Sequence, residues 1–101
     1  MTVPFVTAGW PEEAFIGDVV ACTLEGRNLD SVTDIKVAPA AKGVTVRFGD
    51  PHGKLGSEPQ RSATALTVTF EIDYSTYPGE KRIELMSPSG TSNALPFLIM
   101  M

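Results

Sequence analysis

From Leu66 to Asp73 the chain alternates apolar and polar residues without a break. Leu66, Val68, Phe70 and Ile72 project to one side of an extended backbone and Thr67, Thr69, Glu71 and Asp73 to the other, which is the period-two signature of a β-strand with one buried face. The same alternation puts Val20, Cys22 and Leu24 on the inner side of a strand that ends at Gly26, Ile35 and Val37 on another, and Val44, Val46 and Phe48 on a third. After the turn signal Tyr77-Pro78-Gly79-Glu80, Ile83 and Leu85 point inward from a strand over 81–86, and Leu95, Phe97 and Ile99 from the last one. A strand near Pro4 to Ala8 brings the expected number to about seven. Gly, Pro, Asn or Asp interrupts the rhythm about every ten residues, so the pattern predicts an all-β, two-sheet antiparallel sandwich.

Two segments depart from the alternation. Pro11-Glu12-Glu13-Ala14-Phe15 has a proline and acids where a first helical turn takes them, and predicts one short helical turn. Residues 49–62 carry three glycines, two prolines and almost no apolar side chain, and predict a long exposed loop joining the two halves. There is no internal repeat, linker or low-complexity tract, so residues 1–101 read as a single domain.

A chain of 101 residues is large enough for one core, burying roughly 65% of its unfolded surface. Its 43% hydrophobic and 20% charged residues place it with globular proteins and away from disordered ones. Eight Lys and Arg against twelve Asp and Glu give a net charge of −4, and the longest basic run is Lys81-Arg82, which argues against nucleic acid as a partner. The most apolar stretch, Leu95 to Met101, contains Pro96 and falls far short of the ~20 residues of a membrane-spanning helix. The first residues have neither the basic region nor the apolar run of a signal peptide, so any such signal would lie upstream. Cys22 is the single cysteine, cannot form an internal disulfide, and sits in an apolar run as a small buried thiol.

The residues that could carry chemistry are few. His52 is the sole histidine, beside Asp50 and near Ser57, yet it lies in the long loop, without the rigid support that holds a catalytic group to about 0.5 Å; a solvated loop histidine is the simpler reading. One cysteine and one histidine do not complete the four ligands of a zinc site. Asp30 and Asp34, together with Asp73 if they share an end of the sandwich, are the calcium option, with solvated turn aspartates as the alternative. The stretch Gly49-Asp50-Pro51-His52-Gly53-Lys54 has one residue too few between its glycines for a phosphate loop, and Leu55 follows where a hydroxyl is needed. Glu71 and Glu84 fall on solvent faces and form no acid–base pair. No catalytic residue, metal or cofactor is expected. Aromatic rings that stack on sugars are the remaining resource, and Trp10, Tyr74 and Tyr77 all lie in or next to turns. Against that, Trp10 reads as a cover over an open end of the core and Tyr77 as a corner residue packing on the sheet. The candidate binding residues are Trp10, His52, Tyr74 and Tyr77.

Four features carry a family resemblance. Gly17 precedes the second expected strand; Gly26-Arg27-Asn28-Leu29 ends it with a Gly-x-Asn-apolar corner; Pro78-Gly79 stands before the sixth; and Ser87-Pro88-Ser89-Gly90-Thr91-Ser92-Asn93 forms the last hairpin, with Phe97 beyond it. In these, over residues 15 to 99, the chain resembles the immunoglobulin-like domains of the IPT/TIG type found in bacterial multidomain proteins. Its N-terminal segment lacks the family's Pro-rich opening, and the loop around His52 is outside the pattern. The corners also have a physical reading of their own: Gly26 and Asn28 tolerate positive φ, Pro78 and Gly79 suit a turn, and Asn93 can bond neighbouring backbone.

The resemblance implies an immunoglobulin-like fold and no single activity. The expected function is a non-catalytic spacer or docking module of a larger bacterial protein in the periplasm, at the cell surface or outside the cell. Its expected partners are neighbouring domains of the same polypeptide or another protein. The alternatives are a module binding glycan or a protein ligand, and an accessory domain of a secreted enzyme.

Overall fold

A computed structural model describes residues 3–39, 42–56 and 58–101. Among the described residues nine strands form two sheets: β1 (Phe5–Ala8), β2 (Glu13–Phe15), β3 (Val19–Arg27), β4 (Asp34–Ala38), β5 (Val44–Phe48), β6 (Ala65–Ile72), β7 (Gly79–Ser87), β8 (Gly90–Thr91) and β9 (Leu95–Met100). The first sheet has the order β1-β3-β6-β5 and the second β2-β9-β7-β4, with β8 added to β7. Setting aside β2 and β8, the long strands follow the sheet order of a constant-type immunoglobulin sandwich, four strands facing three.

All seven expected strands are present, and their registers explain why. Leu24 lies opposite Leu66, Cys22 opposite Val68, and Val20 and Val46 flank Phe70 from either side. In the second sheet Ile35 faces Leu85, and Val37 and Leu95 flank Ile83. Directly opposed residues share a face, so these sets meet across the gap between sheets. Phe70 and Phe97 come from opposite sheets with ring centroids 5.8 Å apart and tilted by 41°, and both are fully buried. Each such side chain contributes about 1.5–3 kcal/mol on leaving water.

The expected helical turn at Pro11–Phe15 is instead strand β2, paired in parallel with β9, the exception to an otherwise antiparallel sandwich. Ala14 faces inward beside Ile99, while Glu13 and Phe15 face out. The chain thus leaves the first sheet after β1 and joins the second as β2; pairing with a distant strand outweighs a local helical preference worth only a fraction of a kcal/mol per residue.

Two of three local readings change. Gly26 does not have positive φ; it sits inside β3, where a side chain would collide with the Phe5 carbonyl at an irregularity in the β1–β3 register. Asn28 does adopt the left-handed conformation, φ 56°. The Asn93 side chain reaches across the sandwich and not to adjacent backbone: its Nδ2 donates to the Val6 carbonyl and its Oδ1 accepts from the Val6 amide, both at 2.9 Å, clipping β1 to the second sheet.

Cys22 is half-buried and packs against the core, and burial pushes its thiol up to about 12. Because the thiolate is the reactive species, iodoacetamide at pH 8 should label the folded chain far more slowly than the urea-unfolded chain; equal rates would contradict the packing of β3.

Candidate functional site

One end of the sandwich gathers the turn after β2, the segment leading into β5 and the loop between β6 and β7. The Gly17 amide donates to the Ile72 carbonyl (2.7 Å) and the Asp73 amide to the Gly43 carbonyl (2.9 Å), which ties all three segments together. Between them opens a cleft of about 330 Å³ lined by Asp18, Gly43, His52, Glu71, Asp73 and Tyr74, among others.

Tyr74 and Tyr77 stand three residues apart on the β6–β7 loop and are 78% and 81% exposed. The Tyr74 ring lies against the backbone of Gly17, where any side chain would strike it, so one face is supported and most of the residue is open. Tyr77 does not pack on the sheet as a corner residue: the chain runs from it through Pro78 directly into β7, and nothing covers the ring. Trp10 is different again. It is half-buried against the core where the chain crosses between sheets, and its indole Nε1 donates to the Pro96 carbonyl at 3.1 Å.

His52 is not simply solvated. Its Nε2 lies 2.7 Å from Glu71 Oε2, and Arg47 Nε donates to that same oxygen at 2.9 Å. The His52 imidazole and the Arg47 guanidinium together hold the Glu71 carboxyl below the usual carboxylate range. Asp73 is lowered as well, by the Ser75 hydroxyl and then the Ser75 amide. Asp18 Oδ2 accepts from the Phe15 amide at 2.9 Å and closes the turn before β3.

The tie to Glu71 also fixes the long loop on the outer face of the first sheet. Thr67 and Thr69, which the alternation puts on the wet side, are buried. Thr67 Oγ1 accepts from the Gln60 amide at 2.7 Å and Thr69 Oγ1 donates to the Gly49 carbonyl at 2.9 Å, so both ends of the loop close over them. Within the loop the Asp50 carboxylate accepts from the Lys54 and Leu55 amides, each at 2.9 Å.

Among the described residues no hydroxyl or thiol is hydrogen-bonded to His52; Ser57 lies outside them. Asp30 and Asp34 do not share an end with Asp73. They lie beyond the start of β6, whereas Asp73 follows its last residue. Among the described residues no three His, Cys, Asp or Glu side chains converge to hold a metal ion. Glu84 stands opposite Lys36 on the outer face of the second sheet, away from Glu71 in the first.

A second hollow, about 520 Å³, lies along β7 and β9 between Glu12, Glu80, Arg82, Pro96 and Leu98. Its aromatic member, Phe97, is buried in the core and offers no ring to a ligand.

The depressed carboxyls have a pH signature. A carboxyl whose folded pKa lies below its unfolded value adds stability above the unfolded pKa and loses it as pH falls through the folded one. NMR titration should therefore place the midpoints of Glu71 and Asp73 below the ordinary values of about 4.3 and 3.9, with the end of the sandwich loosening only in acid below them. Midpoints at or above those values would contradict the two clusters.

Comparison with known proteins returns a fold. No protein-family model and no curated protein matches the sequence. Among solved structures, SGBP-B of the Bacteroides ovatus mixed-linkage glucan utilization locus, in complex with a mixed-linkage heptasaccharide, is similar over 96% of this chain with a TM-score of 0.53 and 15% identity. The chain spans 23% of that protein's length. The similarity supports the β-sandwich; it does not place the chain in the IPT/TIG type. No helix among the described residues is long and apolar enough to cross a membrane.

Proposed function

We propose that the chain is a non-catalytic module that binds glycan at the end of the sandwich bearing the β6–β7 loop, within a larger bacterial protein at or beyond the cell surface. The observation that carries this reading is the pair of exposed tyrosines in one short loop, with Tyr74 forming a wall of the cleft that Asp18, Glu71 and Asp73 also line. An exposed aromatic ring beside a groove lined by carboxylates offers a sugar an apolar surface for its C–H face and acceptors for its hydroxyls, the combination that small-molecule sites use. The solved neighbour in complex with a heptasaccharide supports a glycan as the ligand class, through a match to part of that protein. Residues 1–101 act as one unit in this reading.

A second reading, the spacer or docking module, is favoured by one specific feature. Asn28, beyond the end of β3, donates to the Val3 carbonyl just before β1, while β9 finishes at the opposite end of the sandwich, where Ile16 donates to the Met100 carbonyl. A chain that enters at one end and leaves at the other suits a domain strung between neighbours. Affinity electrophoresis of the full chain through gels containing soluble polysaccharides separates the two. Retardation by at least one glycan supports binding; uniform mobility across a broad panel leaves the spacer.

A further inference from the structure

We infer that the cleft beside Tyr74 selects uncharged polyhydroxyl glycans and rejects those bearing carboxylate or sulfate groups; this rests on the glycan-binding reading. Three carboxylates line the cleft, Asp18, Glu71 and Asp73, and no lysine or arginine is among its lining residues. Two cationic groups beside them are already committed. Arg47 and His52 both bond a single oxygen, Glu71 Oε2. Lys42, next to Gly43, is exposed and does not line the cleft. The cleft is therefore net negative whether His52 is protonated or not.

The hydrogen-bonding pattern points the same way. Asp18 engages the Phe15 amide through Oδ2, and Glu71 engages its partners through Oε2. Asp18 Oδ1 and Glu71 Oε1 have no donor among the described residues, so the walls present free acceptors to whatever enters. A sugar hydroxyl is a donor, and its bond to a carboxylate is of the stronger, charge-assisted kind. A uronate or sulfate group is acceptor-only and carries the wrong sign.

A cation would also be attracted, but no three His, Cys, Asp or Glu among the described residues converge on one point. Acceptors spread along a groove match separated hydroxyls better than a single ion, which requires several oxygens at 2.3–2.6 Å if it is calcium.

Gly43, which lines the cleft, has φ +94°, and any side chain there would be strained and would meet the buried Thr76 hydroxyl at 2.5 Å, so that part of the wall carries no side chain.

Isothermal titration of the full chain with a neutral β-glucan oligosaccharide and with an oligogalacturonate of equal length, at low and high salt, tests the assignment. The neutral ligand should bind at least about tenfold more tightly at low salt, roughly 1.4 kcal/mol, and the gap should narrow at high salt as the repulsion is screened. Asp18→Asn, which removes one negative charge from the cleft, should tighten oligogalacturonate binding at low salt and lose that gain at high salt, while weakening the neutral ligand through the loss of a charge-assisted acceptor. Oligogalacturonate binding as tightly as the neutral ligand, with loss on Tyr74→Ala, would overturn the selectivity and leave the glycan reading standing. Failure of both ligands, and of the wider polysaccharide panel, would remove the glycan reading and this inference with it.

Discussion

Phe70→Asp leaves the chain unfolded at 25 °C. Phe70 is fully buried, stands between Val20 and Val46 in the first sheet, and meets Phe97 from the second. Deleting its ring costs about 3–5 kcal/mol, and an unpaired carboxylate in the same place adds several more. A domain of this size has only about 5–15 kcal/mol to lose. The outcome is a collapsed far-ultraviolet β signal and narrow amide dispersion in the NMR spectrum, whereas Phe70→Leu should stay folded with a lowered melting temperature. A cooperative melt of Phe70→Asp close to that of the unmodified chain would mean that the two sheets do not close over this ring.

Tyr74→Ala is expected to do the opposite: little to stability and most of the damage to binding. At 78% exposure the side chain contributes little to the core, so the change in stability should stay within roughly 0.5 kcal/mol. If its ring is the platform on which a sugar lies, truncation should weaken glycan binding by ~10-fold or more, as removal of central aromatic contacts does in other interfaces. Tyr74→Phe, which keeps the platform and loses the hydroxyl, should retain most of the affinity. Unchanged affinity in Tyr74→Ala would move the binding surface elsewhere on the molecule.

The strands were legible because the sandwich core is written in period two. Leu66, Val68, Phe70 and Ile72 alternate with polar residues in one run, and burial of that set specifies both the strand and its register. β2 was not legible. Glu13-Ala14-Phe15 is too short for a period to emerge, and what makes it a strand is β9, more than eighty residues away. Thr67 and Thr69 show the complementary failure, since alternation assigns them to water and only the return of the 49–62 loop covers them.

The candidate site was half legible. Tyr74 and Tyr77 stand out as aromatics beside turn residues, but whether a turn aromatic packs or stays open depends on neighbours from other strands, and Tyr77 is open where packing was expected. The pairing of His52 and Arg47 on Glu71 joins residues nineteen and twenty-four positions apart. Local pattern carries no signal for it; a lone histidine and an outward glutamate on a strand were its only traces. Asn93 clips β1 across 87 residues, although its type and position suggested only a turn.

On the proposed function, glycan binds at this end of the sandwich and at no other surface. A titration of the isotopically labelled chain with a neutral β-glucan oligosaccharide, followed by amide NMR, tests it most directly. Shift changes should concentrate at residues 17–19, 43–45 and 71–77 and be absent from Phe5, Arg27 and Asn93 at the far end. Perturbations centred on that far end, or on the outer face of β7 and β9, would contradict it.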